Sequence, residues 1–378
     1  MIDYETLRVI WWALVGVLLI GFVITDGFDL GVGALLTIIG RTDRERRIMI
    51  NTVGPHWDGN QVWFITAGGA LFAAFPMIYA TAFSGFYIAL FLVLAALWMR
   101  PIGFDYRGKF AKESTRNIFD WMLFAGGLVP SLVFGVAFGN LLLGVPFTLD
   151  ETLKATYAGT FWQLLNPFAI LVGLISLGML LTHGAAWLQL KTDGFIRARA
   201  QKTAFYLGIV TVALFIIAGV CVAWFIEGYV VTSELATDGQ SNPLLKTVGT
   251  EVGAWMDNYD HYPLFALAPL MAIVSGLSCS LFSALGHAGK AFVASALHMT
   301  GIILTAGFSM FPFLLPSSVQ PAASLTMWDA TASELTLKIM FFVACVFVPI
   351  VLGYTAYCFY VMRGRIKDSD LDKSHAIY

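Results

Sequence analysis

Charge is scarce in this sequence. Of its 378 residues only 12% are Asp, Glu, Lys or Arg, about half of the roughly 25% usual in soluble globular domains. With 58% hydrophobic residues and a mean hydropathy of +0.77, that shortage excludes a chain built around one water-soluble core. A basic stripe is also missing. Lys and Arg sit in short runs between apolar segments, which excludes nucleic acid as a partner. Cys221, Cys279, Cys345 and Cys358 lie in or at the ends of apolar runs, with no CxxC spacing. Neither a redox pair nor a metal cluster is indicated, and all four read as small apolar residues. The first hydrophobic run lacks a small-residue cleavage site, and the preceding Met1–Arg8 is mixed in charge. It is expected to stay in the protein as a span.

Long apolar runs are what the sequence has instead. A helix needs about 20 predominantly apolar residues to cross a bilayer. Nine segments qualify: 9–32, 62–80, 82–102, 120–143, 161–183, 204–227, 262–285, 291–315 and 337–361. An all-α polytopic membrane protein is expected, because backbone groups in lipid must pair within their own segment. Basic residues orient it. Arg41, Arg44, Arg46, Arg47, Arg100, Arg107, Lys109, Lys112, Arg116, Lys191, Arg197, Arg199, Lys202, Lys290, Arg363, Arg365, Lys367 and Lys373 fall on one side. Only Arg8, Lys154, Lys246 and Lys338 fall on the other. The positive-inside rule places the larger set in the cytoplasm, with the amino terminus outside and the carboxyl terminus inside.

Spans one and five resemble each other at an offset of 157. Leu14-Val15-Gly16 matches Leu171-Val172-Gly173, Gly21 matches Gly178, and Thr25-Asp26-Gly27 matches Thr182-His183-Gly184. Four spans per copy is an even number, so the two copies share one orientation, a parallel repeat. The expected architecture is two four-helix bundles plus one additional helix. The boundaries are 1–150, 151–320, and 321–378 for the ninth helix and tail. Asp26 faces chemistry in the first copy where the second has His183. Pro130 and Pro167 are expected to mark kinks, and Gly135 and Gly139 form a small-residue packing seam.

The polar residues inside apolar sequence are the candidates for chemistry. Asp26 and Asp29 are three residues apart, on roughly one helix face. A carboxylate at membrane depth costs about 2.5–3.5 kcal/mol on insertion scales, so a proton or cation site is the functional reading. A helix-end pair open to water is the plain one. His56 and Asp58 flank Trp57 just before the second span. Carboxylate and imidazole together suit proton uptake, whereas Asp58 alone could be a helix N-cap. Arg100 ends the third span. It either snorkels to the interface or pairs with one of the acids, and Asp105 follows it at the mouth of the same path. A haem or metal site needs several His or Met side chains at one depth. His56, His183, His261, His287 and His298 are scattered, with no i, i+4 pair. His298 reads as a hydrogen-bonded core residue, and no metal ligands are assigned.

Four runs together carry a resemblance. They are Thr25-Asp26-Gly27-Phe28-Asp29-Leu30-Gly31-Val32-Gly33, Gly54-Pro55-His56-Trp57-Asp58-Gly59-Asn60-Gln61-Val62-Trp63, Arg100-Pro101-Ile102-Gly103-Phe104-Asp105-Tyr106-Arg107 and Ser324-Leu325-Thr326-Met327-Trp328-Asp329-Ala330. In this order, and over essentially the whole chain, they resemble subunit II of the cytochrome bd ubiquinol oxidases. The resemblance implies a bacterial inner-membrane respiratory oxidase that oxidises quinol and reduces O₂ to water. It implies two b-type haems and one d-type haem, all ligated by subunit I, with which this chain would form a heterodimer. Small single-span accessory subunits and, in some members, a structural ubiquinone complete the set. The chain alone would not make or break bonds. It would stabilise the haem subunit and help conduct cytoplasmic protons through Asp26 or Asp29, Asp58 and Asp105, supported by His56 and Arg100. On the residues alone, a proton- or cation-coupled secondary transporter is the rival reading, since parallel repeats and intramembrane carboxylates suit that class too.

Overall fold

The computed structural model describes residues 2–371. Lys373, counted above with the cytoplasmic basic residues, lies outside the described residues. Twelve α-helices follow in order: α1 Tyr4–Ile39, α2 Asp43–Asn51, α3 Trp57–Ala74, α4 Pro76–Gly85, α5 Tyr87–Arg107, α6 Glu113–Leu143, α7 Pro167–Lys191, α8 Gly194–Trp224, α9 Asp257–His261, α10 Leu267–Ala284, α11 Ala288–Met310 and α12 Glu334–Val361. Three two-stranded antiparallel hairpins decorate one end. Among the described residues, eight helices are long and apolar enough to cross a membrane.

The second expected span, 62–80, is not one straight helix. α3 and α4 meet at an angle of 120°. Phe75 leaves helical geometry because a residue before proline is pushed out of the α region, and Pro76 then opens α4 at its first position, where its missing N–H costs nothing. The expected segment 62–80 runs across this break. Pro167 likewise opens α7 rather than kinking a helix, behind the Asn166 cap on Ala169. Pro130 lies inside the continuous α6.

α1 is the centre of the molecule. Its 36 residues extend about 54 Å at 1.5 Å per residue, more than the roughly 30 Å hydrocarbon core. It packs on α3, α6, α7 and α11. α5 lies on α6, α6 on α7, α7 on α8 and α11, α8 on α10, and α10 on α11. α12 sits at the edge, and Leu337 is its one buried position.

From Asp26 to Leu36 every residue of α1 is buried, so the helix is enclosed on all sides there. Glycine makes this possible. A Cβ on Gly31 would strike the Leu180 carbonyl of α7, and one on Gly184 would lie 2.6 Å from the backbone of Gly31. On the α6 side, a Cβ on Gly33 would lie 2.9 Å from the Leu123 carbonyl. The Gly135 and Gly139 seam of α6 seats α7 in the same way, against Val172 and Ala169.

Salt bridges and caps fasten the loops. At the hairpin end, buried Lys246 lies 2.7 Å from Asp329, and Asp329 also accepts from the Thr326 backbone at 2.9 Å. The run Ser324–Ala330 therefore closes the loops of this end. Arg8, fully buried, donates to the Thr237 and Gly239 carbonyls at 2.5 and 2.8 Å and to Thr331 at 3.0 Å. At the opposite end, α2 begins with a Thr42/Glu45 capping box.

Replacing Gly31 or Gly184 by Ala forces α1 and α7 apart, at about 1–3 kcal/mol each. The expected result is a lower thermal midpoint of the detergent-solubilised protein by circular dichroism. Gly68→Ala, where a Cβ meets nothing within 4 Å, leaves the midpoint in place.

Candidate functional site

The polar groups gather around the enclosed part of α1. Arg100 of α5 grips Asp26 with both nitrogens, Nη1 to Oδ2 at 2.8 Å and Nη2 to Oδ1 at 2.5 Å. Both side chains are buried. A forked guanidinium matches a carboxylate in this way, which a lysine does not. Gly126 of α6 makes room for the arginine stem, since a Cβ there would lie 2.8 Å from its Cγ. Trp57, at the start of α3, places its ring 5.6 Å from the guanidinium. Four helices thus converge on one ion pair.

Asp29, one turn further along α1, has different company. Its Oδ2 accepts from Asn60 Nδ2 at 2.7 Å, while its Oδ1 is buried without a hydrogen-bond partner. Asn60 Nδ2 is also 3.2 Å from His56 Nδ1. An amide nitrogen only donates, so Nδ1 accepts and the ring hydrogen sits on Nε2. His56 Nδ1 is 3.8 Å from the free oxygen of Asp29. Burial, and then the nearby Lys191 charge, holds the His56 imidazole down at about 4. The ring is neutral at neutral pH.

Of the expected site residues, the structure joins Asp26, Asp29, His56 and Arg100. Asp58 and Asp105 do not enter this cluster. Both are exposed, on the first turn of α3 and near the end of α5. The physical reason is helical phase. Asn60, two residues after Asp58, is the one turned toward α1, and Arg100 is turned inward where Asp105 is not. The N-cap position of α3 is His56 rather than Asp58, and no side chain caps that helix.

Three features escaped the sequence reading. Asn60 stood inside a quoted motif, and its spacing of four from His56 was the available signal. Asp120 of α6 is buried and accepts from Arg107 at 2.5 Å and Arg46 at 3.0 Å. Arg107 also reaches Asp43 at 2.7 Å. An acid at the start of an apolar run, flanked by arginine-rich loops, was the clue. Lys191 is the third. It ends α7 beside a cavity of about 220 Å³ that His56 also lines.

His183 is a structural residue. Aligned with Asp26 at the sequence offset of 157, it spends both ring nitrogens on Ser295 Oγ at 2.7 Å and the Ile24 carbonyl at 3.0 Å. His298 Nδ1 bonds the Ala272 carbonyl at 2.6 Å, and Gly276 packs so closely that a Cβ there would be 2.7 Å from that nitrogen. Both ring nitrogens of His183 are thus occupied, whereas Nε2 of His298 is buried without a hydrogen-bond partner. Among the described residues no three His, Cys, Asp or Glu side chains are placed to hold a metal ion.

The family model for cytochrome bd terminal oxidase subunit II matches residues 7–362. The chain belongs to this family. Cytochrome bd-I ubiquinol oxidase subunit 2 of Escherichia coli K12 is 55% identical over 379 residues, covering 100% of both chains. Cytochrome bd ubiquinol oxidase subunit 2 of Bacillus subtilis is 33% identical over 97% of this chain and 98% of its own. The solved structure of bd oxidase from Geobacillus thermodenitrificans aligns with a TM-score of 0.67 at 16% identity, over 95% of this chain and 100% of that one. That likeness shows a shared fold.

In this subunit II the Asp26–Arg100 pair is a fixed charge pair, whereas Asp29 keeps an open oxygen. Arg100→Met would strand a buried carboxylate, at about 3–5 kcal/mol. The expected outcome is a sharply lowered thermal midpoint. The double variant Asp26→Leu/Arg100→Met loses less than the sum of the two single changes in a double-mutant cycle.

Proposed function

We propose that this chain is the non-haem-ligating subunit of a cytochrome bd quinol:O₂ oxidoreductase, and that it supplies cytoplasmic protons to the oxygen-reducing centre of its partner, subunit I. The observation that carries this reading is the buried pair of acids on α1, one locked by Arg100 and one open beside Asn60 and His56, in a chain of the subunit II family. A transporter reading has no such family support.

Charge balance supplies the mechanism. Each electron delivered to a buried site needs a proton to avoid an uncompensated charge in low dielectric. Quinol oxidation releases protons on the outer side, and oxygen reduction takes them from the inside. The membrane is charged without a pump. The haems, two of b type and one of d type, belong to subunit I in this reading and supply the redox chemistry there. This chain's residues hold, pass and shield protons.

Orientation and assembly follow the same logic. The α2 end carries the arginine-rich loops and faces the cytoplasm, and the hairpin end faces the periplasm, in the bacterial inner membrane. α1, α3–α4, α5 and α6 make one bundle, α7, α8, α10 and α11 a second, and α12 is added at the edge. Asp58 and Asp105 are exposed on α3 and α5, beside the exposed apolar side chains Val62, Trp98, Ile102 and Tyr106. Charges on an otherwise lipid-suited face call for a partner. That face is assigned to subunit I, with both acids at the shared boundary.

Asp58→Asn in the assembled oxidase tests the reading. Turnover is expected to fall on the order of tenfold, about 1.4 kcal/mol in barrier, with haem absorbance unchanged. Full turnover with intact haems counts against proton supply at that face, and a lone, colourless, substrate-carrying protein counts against the oxidase.

A further inference from the structure

After α12, residues 362–371 stay against the helices. Lys191 Nζ donates to the Met362 carbonyl at 2.6 Å, and the Ile366 amide donates to the Lys191 carbonyl at 2.9 Å. Arg365 pairs with Asp193 at 3.0 Å, and Arg44 with Asp368. Ile366 and Leu371 pack into the core of the α2 end with Phe359. Residues 362–371 thus form a strap across this end of the helices.

A cavity of about 220 Å³ lies beneath the strap, with Asn51, Thr52, His56, Lys191, Gly364 and Ile366 in its wall. At about 30 Å³ per water, it has room for several. His56 belongs to two places at once. It lines the cavity, and its Nδ1 lies 3.8 Å from the unpartnered oxygen of Asp29. Phe28, Trp187 and Phe359 surround the imidazole at centroid distances of 5.5, 5.6 and 5.3 Å. They hold the ring between the cavity and the acid and leave the ring nitrogens for polar contacts.

We propose that the cavity under the carboxyl-terminal strap is a proton inlet internal to this subunit, and that His56 carries protons from it to Oδ1 of Asp29. The inlet rests on the proton-supply reading above and deepens it. It is separate from the exposed face that bears Asp58 and Asp105. Each transfer balances simply. The resting ring, with its hydrogen on Nε2, turns to the cavity and accepts one proton at Nδ1 from water that is re-protonated from the cytoplasm, then turns back and releases that proton from Nδ1 to the carboxylate, ending neutral in the tautomer it began with. Asn60, which only donates, orients both partners and carries no proton. Lys191 holds the strap, and its charge disfavours a resting imidazolium, so protons pass through and do not accumulate.

The test uses the assembled oxidase, with quinol-driven oxygen consumption and haem spectra as readouts and Asp29→Asn as reference. First, His56→Ala is expected to lower turnover on the order of tenfold with haems intact, and 4-methylimidazole in the medium to restore a large part of it. A packing defect is not rescued by a soluble base. Second, Ile366→Cys is placed in a chain whose Cys345 and Cys358 are alanine, and a bulky methanethiosulfonate is applied from the cytoplasmic side. Labelling is expected to lower turnover to a similar degree. It acts on an already folded complex, so this arm does not depend on a variant's folding. Both effects are required. If Asp29→Asn loses turnover while His56→Ala is unaffected or not rescued, or labelling is without effect, the inlet is overturned and proton supply by this subunit stands. If Asp29→Asn keeps full turnover, both readings fall together.

Discussion

A carboxylate or a guanidinium alone at membrane depth costs several kcal/mol, and Asp26 and Arg100 are tolerable only because each completes the other. The rest of the site is arranged around that necessity. The pair ties α1 to α5 at 2.5 and 2.8 Å, Trp57 of α3 covers it, and Gly126 of α6 yields the space for the arginine stem. A helix that must present a charge to its neighbours cannot sit at the edge. α1 is accordingly enclosed from Asp26 to Leu36. Enclosure in turn demands close backbone approach, which Gly31, Gly33 and Gly184 provide. The acidic motif and the glycines beside it are one design, because the charge needs the burial and the burial needs the missing side chains.

Once Asp26 is fixed, the role left for Asp29 is defined by contrast. Two acids three residues apart share a helix face, yet one is doubly bonded by a cation and the other holds a single amide. A locked carboxylate is a poor proton carrier, since protonation breaks its ion pair. An open one beside an imidazole has no such obstacle. His183, which the sequence aligns with Asp26 at the offset of 157, reaches across to the Ile24 carbonyl of α1 and to Ser295. It ties α7 to α1 and α11 and leaves no free nitrogen.

Much of this was legible in the sequence. Apolar run length and the distribution of Arg and Lys marked the helices, and the cost of charge in lipid singled out Asp26, Asp29 and Arg100. The choice between snorkelling and pairing for Arg100 was open in the sequence, and the structure places it in a buried pair with Asp26. The rest was hidden for definable reasons. Hydropathy does not register the break at Phe75–Pro76, because both sides of it are equally apolar. Asp58 and Asn60 are both polar and two apart, and only the phase of α3 decides which one faces inward. Lys191 and the strap meet across 171 residues of chain separation, a relation that no local pattern encodes. Asp120 stands out only once Arg46 and Arg107 are seen to close around it.

The same enclosure raises a supply problem. The acids of α1 are packed by aromatic and aliphatic side chains, with Phe28 stacked on Trp187 at 4.1 Å, so bulk water does not reach Asp29 directly. In the proposed proton supply, protons arrive through a polar side chain that spans the packed layer, and His56, oriented by Asn60, stands in that position on the α2 end. Arg44, Lys191 and Arg365 meanwhile bind the strap over the cavity behind it. Those cations fix the cover at the α2 end, and Lys191 among them disfavours a proton that lingers on His56. Fast passage and low occupancy are compatible, because a relay group needs only to be protonated briefly. The dry packing that makes the Asp26–Arg100 pair possible therefore also restricts access to Asp29, and the inlet proposed one imidazole away would reconcile the two demands.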